Sequence, residues 1–260
     1  MLTEERYEFI LEELKNNSVV HVSDLVIKLN ASESTIRRDL NALHKEGKLN
    51  KIHGGAMALD KDINTREDKV AVRQGLKTNE KLEIAKYAAS LIKPYDFVYL
   101  DAGTTTELMI DFIKEKEAIF VTNAIGHAKK LIQNDLKTYI LGGEVKGITE
   151  AIVGIEAISS LKKYNFTKGF FGVNGISIKR GYTTPDIKEA SVKEEALNRA
   201  RSAYILADDS KFDEISSITF GNISKASIIT TKLLDNKYKA LTEILEVTIK
   251  WFILLLLIQL

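Results

Sequence analysis

The sequence predicts an α/β protein of two domains, on three observations. Residues 1–58 carry short helical stripes followed by an alternating basic and apolar run, and residues 59–78 are polar with few apolar positions. From residue 79 to residue 249, helical runs alternate with short apolar runs. This alternation indicates a mostly parallel sheet covered by helices. We therefore expect a small domain, a linker and a larger α/β domain.

Composition excludes several kinds of site. The chain has no cysteine, so it has neither a disulfide framework nor a thiolate metal site. Its four histidines lie in separate elements, and we expect no metal and no cofactor. Residues 1–5 do not resemble a secretory signal, and the apolar run 251–258 is too short to span a bilayer, which takes about 20 residues. A cytoplasmic protein without a membrane partner is expected.

Charge is distributed unevenly along the chain. The net charge is only +1, which argues against binding nucleic acid through bulk charge. Residues 28–53 nevertheless hold six Lys and Arg against three Asp and Glu, a net of +3. Any contact with nucleic acid would therefore depend on a local basic face.

The first domain is predicted as helix, strand, helix, turn, helix and wing. Residues 19–22 form a short strand, Ser23 caps the second helix, and residues 30–31 turn into the third. Residues 48–55 then alternate basic with apolar side chains before a pair of glycines. This order is typical of a winged helix-turn-helix, whose second motif helix enters the major groove of DNA.

The third helix has two distinct faces at about 100° per residue. Ile36, Leu40 and Leu43 share one sector, and polar residues lie opposite. Those polar groups suit DNA, because Arg can fork onto guanine or phosphate, Asn can pair with adenine, and short hydroxyls permit close approach. A solvated amphipathic helix would show the same pattern, but the wing that follows favours DNA. The predicted DNA contacts are Ser34, Thr35, Arg37, Arg38, Asn41, Lys48, Lys51 and His53.

The second domain is predicted from its apolar runs and the helical runs between them. Strands are expected at residues 97–100, 118–121, 138–141, 169–173, 203–207, 227–230 and 244–249. Helices are expected at residues 80–92, 106–115, 124–134, 155–163, 188–200 and 233–239.

Ligands of open α/β sheets bind beyond the carboxyl ends of the strands, so the residues after each strand are candidates. Asp101-Ala102-Gly103-Thr104-Thr105-Thr106 follows the first strand, where Gly103 permits a tight turn and the Thr amides and hydroxyls suit a phosphate. A capped strand–helix turn would show the same pattern. Polar or glycine-rich residues also follow other strands, at 122–123, 142–144, 172–175 and 208–211. Together they predict a pocket for a small phosphorylated polyol.

Three of these residues allow alternatives. Asp208 and Asp209 can bind a sugar hydroxyl or cap the next helix. Lys211 can bind a phosphate or pair with a neighbouring acid.

The chain resembles the DeoR/GlpR family of bacterial transcriptional repressors. The matching residues of the first domain are Arg6, Ile10, Leu14, Val22, Leu25, Ser32, Ser34–Leu40, Leu43, Gly47 and His53–Ala56. Residues 78–249 resemble the family's sensor domain, which is similar in fold to ribose-5-phosphate isomerases. The resemblance implies two partners, double-stranded operator DNA and a phosphosugar effector. The segments 1–6 and 181–186 favour the fructose-operon branch, with fructose 1-phosphate as the first effector to test.

The resemblance also implies the effector site. Its residues would be Asp101, Gly103, Thr104 and Thr105 in a phosphate loop, with Thr122, Asn123, Asn174 and Lys211 around them. Glu189 and Lys193 occupy the region where the isomerases keep catalytic groups. We expect Lys193 to form an exposed i, i+4 salt bridge with Glu189, and Glu189 stays a candidate for the effector.

Assembly and function leave alternatives open. One small reading domain recognises too few base pairs for a selective site, so a homodimer or homotetramer is expected. An enzyme is the rival class, since Asp101, Asp208 and Glu189 could act on protons. The DNA-reading helix on the same chain favours a ligand-responsive repressor with no catalytic residues, and an activator of the same architecture would also fit.

Residues 250–260 depart from the family as an apolar tail. An extended strand, an oligomer contact or an altered reading frame would explain it, and the abrupt change in composition favours the last.

Overall fold

The structure is a computed structural model that describes residues 2–17, 19–57, 63–65, 74–233 and 236–247. The chain divides into two compact units, Met1–Lys61 and Asp62–Leu260. Most of the linker predicted at residues 59–78, and all of the tail predicted at 250–260, lie outside the described residues.

The first unit folds as a winged helix-turn-helix. Its elements are α1 (Thr3–Asn17), β1 (Val19–His21), α2 (Val22–Leu29), α3 (Glu33–Lys45), β2 (Asn50–Ile52) and β3 (Gly55–Met57). The strands form an antiparallel sheet in the order β1-β3-β2. The predicted cap at Ser23 is wrong, because α2 begins one residue earlier and the Ser23 hydroxyl donates to Asp24 at 3.2 Å.

The paired glycines of the wing have a steric role. Gly54 adopts a φ of +79°, which residues with a side chain disfavour. A Cβ at Gly55 would lie 2.0 Å from the carbonyl oxygen of Val20, so only glycine lets β3 approach β1 this closely.

An apolar core and one ion pair hold the inner face of α3. Leu40 and the other predicted core residues of this helix are fully buried. Beside them, Asp39 is 1% exposed and accepts hydrogen bonds from Arg6 of α1, from Nε at 2.7 Å and from Nη2 at 3.2 Å. The hydrogen bond to Asp39 raises the pKa of Arg6. Because the pair is bidentate, it fixes α3 against α1 and turns the opposite face of α3 outwards.

The second unit is a parallel α/β sheet with two small antiparallel additions. Its elements are α4 (Thr78–Ser90), β4 (Phe97–Leu100), α5 (Thr104–Met109), β5 (Ile119–Thr122), α6 (Ile125–Gln133), β6 (Lys137–Ile140), β7 (Glu144–Lys146), β8 (Ala151–Val153), α7 (Ile155–Leu161), β9 (Phe166–Gly172), β10 (Gly175–Ser177), β11 (Gly181–Thr184), α8 (Ile187–Arg199), β12 (Ala200–Leu206), β13 (Ile218–Gly221), β14 (Ser227–Thr230) and β15 (Ile244–Glu246). The main sheet has seven parallel strands in the order β15-β14-β12-β9-β4-β5-β6.

All seven strands of this sheet overlap predicted strands, whereas the small sheets were not predicted. These are the hairpin β7–β8 and the sheet β10-β11-β13. Their strands are three or four residues long, and so few positions carry little periodic signal. The helix predicted at residues 233–239 is a 3₁₀ segment, Asn236–Ala240. The last strand ends at Glu246, and residues 248–249 lie outside the described part of the chain.

Apolar cores cover both faces of the main sheet. Tyr99, Phe166 and Phe171 belong to the core under α7 and α8, while Phe120 and Phe170 belong to the core under α4 and α6. Because the strands are parallel, the loops after β4, β9 and β12 meet at one edge of the sheet.

Leu40→Ala is expected to destabilise the first unit by about 2–5 kcal/mol, because it leaves a cavity in a small core. Urea denaturation followed by circular dichroism measures the change. Ile27→Ala, at a side chain that is 79% exposed, is the control and should change the free energy of unfolding by less than about 0.5 kcal/mol. Equal effects of the two substitutions would contradict the assigned core.

Candidate functional site

The outer face of α3 is a candidate nucleic-acid interface. Ser32 caps the helix and accepts a hydrogen bond from the Thr35 amide at 3.2 Å. The predicted contacts on this helix are exposed or half-buried: Ser34, Thr35, Arg37, Arg38 and Asn41.

The two arginines of this face differ in their partners. Arg37 donates to the Glu33 carboxylate from Nη2 at 2.6 Å and from Nε at 2.8 Å. Arg38 is exposed and has no ion pair among the described residues. All five donors of the Arg38 guanidinium are therefore available to a ligand. Arg37 must first break its hydrogen bonds to Glu33.

Side-chain hydrogen bonds join the wing to α3, including one from the His44 ring to the Leu49 carbonyl at 3.0 Å. Lys51 Nζ, on β2, donates to Asn41 Oδ1 at 2.7 Å. Lys48 pairs with Glu46 at 2.8 Å, and His53 is exposed in the turn of the wing. The structure thus brings the side chains predicted to contact DNA together on α3 and the wing.

A cavity of about 310 Å³ lies at the carboxyl ends of β4, β9 and β12. The predicted effector residues that line it are Gly103, Thr104, Thr105, Asn174, Glu189 and Lys211. Its lining also includes Asp208 and three further lysines, Lys77, Lys81 and Lys193. Its volume and its mixture of cations and hydrogen-bonding groups fit a small anionic ligand.

Asp101 does not line the cavity but forms a buried ion pair with Lys193, which does. Asp101 is 1% exposed; its carboxylate binds Lys193 Nζ and accepts a hydrogen bond from the Gly172 amide at 3.0 Å. Lys193 is 4% exposed and lies 5.6 Å from the centre of the Phe220 ring. The predicted exposed salt bridge between Lys193 and Glu189 is therefore wrong, because the anionic partner of Lys193 is Asp101. The pair joins the loop after β4 to α8, and both side chains also bind the backbone of Gly172 at the end of β9.

Asn123 supports the loop after β4, whereas Thr122 binds within its own segment at the end of β5. Asn123 Oδ1 accepts a hydrogen bond from the Ala102 amide at 3.0 Å, and Nδ2 donates to the carbonyl of Ile152 at 3.3 Å. Thr122 Oγ1 accepts from the Ala124 amide at 3.1 Å. Both side chains are buried and neither lines the cavity, contrary to expectation.

Glu189 lines the cavity and is held by the turn of the β7–β8 hairpin. Thr149 Oγ1 donates to its carboxylate at 2.5 Å, and Lys146 Nζ lies 3.4 Å away. Lys146 also binds Asp186, the N-cap of α8, at 3.1 Å. Burial acts to raise the pKa of Asp186, but hydrogen bonds from the Glu189 amide and Lys146 lower it overall. The Glu189 carboxylate is thus oriented before a ligand arrives.

The segment after β12 supplies a cation. Asp208 accepts a hydrogen bond from the Ser210 amide at 3.0 Å and caps the 3₁₀ segment Asp209–Lys211. Asp209 pairs with Lys77 at 3.0 Å. Lys211 lines the cavity and has no ion pair among the residues that the structure describes.

Sequence reasoning missed Lys81 and His127. Lys81 is 6% exposed on α4 and lines the cavity, but no motif marks it, since tertiary packing decides which face of a helix meets a site. His127 Nε2 lies 3.0 Å from Thr106 Oγ1, which is itself 2.6 Å from the carbonyl oxygen of Asp101. Burial lowers the pKa of His127 to about 4, so a neutral ring holds the loop after β4.

Neither a metal site nor a membrane span is found in the described part of the chain. Its His, Asp and Glu side chains form no group of three or more that could hold a metal ion. None of its helices has the length and apolar character needed to cross a membrane.

Two family models match the chain. Residues 6–62 match the DeoR-like helix-turn-helix domain, and residues 76–232 match the DeoR C terminal sensor domain. The chain belongs to the DeoR family. Its helix-turn-helix implies DNA as a partner, and its sensor domain implies a small-molecule effector, so this DeoR-family protein is a transcriptional regulator and not an enzyme.

Curated relatives of this DeoR-family regulator match along almost the whole chain. It is 45% identical over 232 residues to the uncharacterized HTH-type transcriptional regulator FruR of Bacillus subtilis, covering 89% of this chain and 92% of that one. It is 32% identical over 251 residues to the lactose phosphotransferase system repressor of Streptococcus mutans, covering 95% and 99%.

Among solved structures, a ribose 5-phosphate isomerase A from Methanocaldococcus jannaschii matches 52% of this chain and 54% of its own, with 16% identity and a TM-score of 0.40. A likeness at this level says nothing about the ligand or the chemistry of the regulator.

The buried His127 predicts a dependence of stability on pH. Burial lowers its pKa to about 4 in the folded protein, against 6.5 in the unfolded chain. Between these values the unfolded chain binds a proton that the folded protein does not. The contribution of His127 is therefore complete above pH 6.5 and falls as the pH drops towards 4, by up to about 3 kcal/mol.

His127→Gln should remove this part of the pH dependence. Urea denaturation at several pH values between 4.5 and 7.5 measures it, and His53→Gln, at an exposed histidine of the wing, is the control. An unchanged pH dependence in His127→Gln would show that the ring is not held neutral.

Proposed function

We propose that this DeoR-family regulator is a repressor of a sugar-catabolism operon, controlled by a phosphosugar bound in the cavity of the second unit. The observation that supports it is the lining of that cavity, where Lys211 faces a ligand without an ion pair among the described residues. The same cavity presents carboxylates and an amide for hydroxyl groups.

The phosphate is assigned to the side of the cavity formed by Lys211 and the loop after β4. The Lys211 ammonium supplies one full positive charge. Gly103, Thr104 and Thr105 line the same cavity, and their small side chains let a phosphate approach the backbone amides. Asp101 does not oppose the phosphate directly, since its charge is balanced by Lys193.

The sugar hydroxyls are assigned to Asn174, Glu189 and Asp208. Glu189 is held by Thr149 at 2.5 Å, and Thr184 Oγ1 donates to Asn174 Oδ1 at 3.2 Å. Acceptors that are oriented in advance bind more strongly to a ligand whose hydroxyl groups lie in matching positions.

The names of two relatives guide the choice of sugar. One is called FruR, and the other is a lactose phosphotransferase system repressor. We propose fructose 1-phosphate as the first effector to test, because FruR matches at 45% identity.

The operator interface is assigned to the outer face of α3 and the wing. Arg38, Ser34 and Asn41 would reach base edges, while Lys48 and Lys51 would bind phosphates of the DNA backbone. One such unit covers few base pairs, so we propose that a homodimer or homotetramer binds the operator in the cytoplasm. The effector then acts by favouring one arrangement of the reading units over another.

Arg38→Ala should weaken operator binding by roughly 1–3 kcal/mol, because it removes a base-reading guanidinium. Arg37→Ala should cost less, since Arg37 is already paired with Glu33. Fluorescence anisotropy with operator DNA measures both at one salt concentration. Lys28→Ala, which removes a lysine paired with Glu13 outside α3 and the wing, is the control. Equal losses from Arg38→Ala and Lys28→Ala would remove Arg38 from the interface.

Lys211→Ala should abolish the response to the effector while operator binding persists. A thermal-shift screen of sugar phosphates identifies the ligand, because at about 100 times its Kd it stabilises the folded protein by about 2.7 kcal/mol. The variant should lose this shift, whereas Lys225→Ala, at an exposed lysine in a similar 3₁₀ segment, should keep it. A full shift in Lys211→Ala would contradict the phosphate assignment.

A further inference from the structure

A second cavity, of about 240 Å³, adjoins the first. Ala102, Gly103 and Thr104 line both cavities, so the loop after β4 is their common wall. The remaining lining of the second cavity includes Glu107 and Glu150. A ligand held against this loop in the first cavity therefore lies next to the second.

The second cavity carries negative charge. Among the described residues its lining includes Glu107 and Glu150 but no Lys or Arg. Gln74 donates a hydrogen bond to Glu107 at 3.1 Å, which leaves the charge in place. The nearby Lys130 is bound to Asp111 at 2.7 Å and to the backbone carbonyl of Glu107.

His127 does not offset this charge. It lines the second cavity, and burial lowers its pKa to about 4, so the ring is neutral at neutral pH.

The first cavity offers little charge for a second phosphate. Lys193 is bound to Asp101, and Lys77 is bound to Asp209 at 3.0 Å. Lys81 is engaged in the protein's own contacts. The lining of the first cavity also includes the carboxylates of Glu189 and Asp208. The charge of Lys211 therefore favours the binding of one phosphate group, and the carboxylates of the lining repel a second one.

We propose that Glu107 and Glu150 set the charge of the effector by excluding a second phosphate, so that the site binds sugars with one phosphate group. This inference rests on the proposed function. The physical cause is repulsion between a phosphate dianion and two carboxylates that no described cation neutralises.

Matched sugar esters test the proposal. Fructose 1-phosphate, fructose 6-phosphate and fructose 1,6-bisphosphate form one set, and the corresponding glucose esters form another. Each bisphosphate contains both phosphate positions of its set, so a weaker affinity reflects the added phosphate. Isothermal titration of the full-length protein gives the Kd of each ester. The bisphosphate is expected to bind at least roughly tenfold more weakly than the tighter monophosphate.

Two variants show which residues cause the selectivity. The double variant Glu107→Gln/Glu150→Gln should narrow the ratio of bisphosphate to monophosphate Kd several-fold, and Glu150→Gln alone, at an exposed residue, should narrow it in part. Glu194→Gln makes the same charge change at an exposed residue of α8 that lines neither cavity, and should keep the wild-type ratio.

Three outcomes decide against the proposal. A bisphosphate that binds as tightly as the better monophosphate would overturn it. An unchanged ratio in both glutamine variants would also overturn it, because the carboxylates would then not be the cause. Absence of binding by every monophosphate, in titration and in thermal shift, would instead overturn the proposed function and this inference with it.

Discussion

Lys193 and Asp101 form a buried ion pair at the point where the loop after β4 meets α8 and the end of β9. Losing one partner of such a buried pair typically costs about 3–5 kcal/mol, because the other charge is left uncompensated. The wall of the cavity therefore depends on a contact between residues 92 positions apart in the chain. Asn123 and His127 hold the same loop from two further elements. A loop of small residues becomes rigid in this way, which lowers the cost of ordering it around a ligand.

The first unit uses the same kind of contact for a different purpose. Asp39 is buried in α3 and binds Arg6 of α1 through two hydrogen bonds. The pair lies on the core side of α3, so it fixes the direction of the outer face without using any group of that face. In both units a buried carboxylate with one basic partner sets the position of a polar surface.

Pairing of charges explains how a nearly neutral chain can present specific cationic sites. Many basic side chains of the described residues are bound to carboxylates of the same unit, as Lys77 is to Asp209 and Arg37 to Glu33. Arg38 and Lys211 have no such partner among the described residues. An unneutralised cation on α3 and another in the cavity match the two ligands of the proposed function, operator DNA and a phosphosugar. Ligand specificity then depends on the positions of the cations that lack a carboxylate partner, and not on the net charge of the chain.

The winged helix-turn-helix, the seven strands of the parallel sheet and the loop that begins at Asp101 can be predicted from the sequence, because local periodicity, turn residues and the order of elements encode them. Two residues of the cavity lining were also indicated: Lys211 by its position after a strand, and Glu189 by the family resemblance. Three features depend on tertiary packing: Lys193 pairs with Asp101, Thr122 and Asn123 do not line the cavity, and Lys81 does. Each of these depends on which elements far apart in the chain become neighbours. An i, i+4 spacing shows that Glu189 and Lys193 can meet on a helix surface, but burial against β4 and β9 determines which partner Lys193 binds.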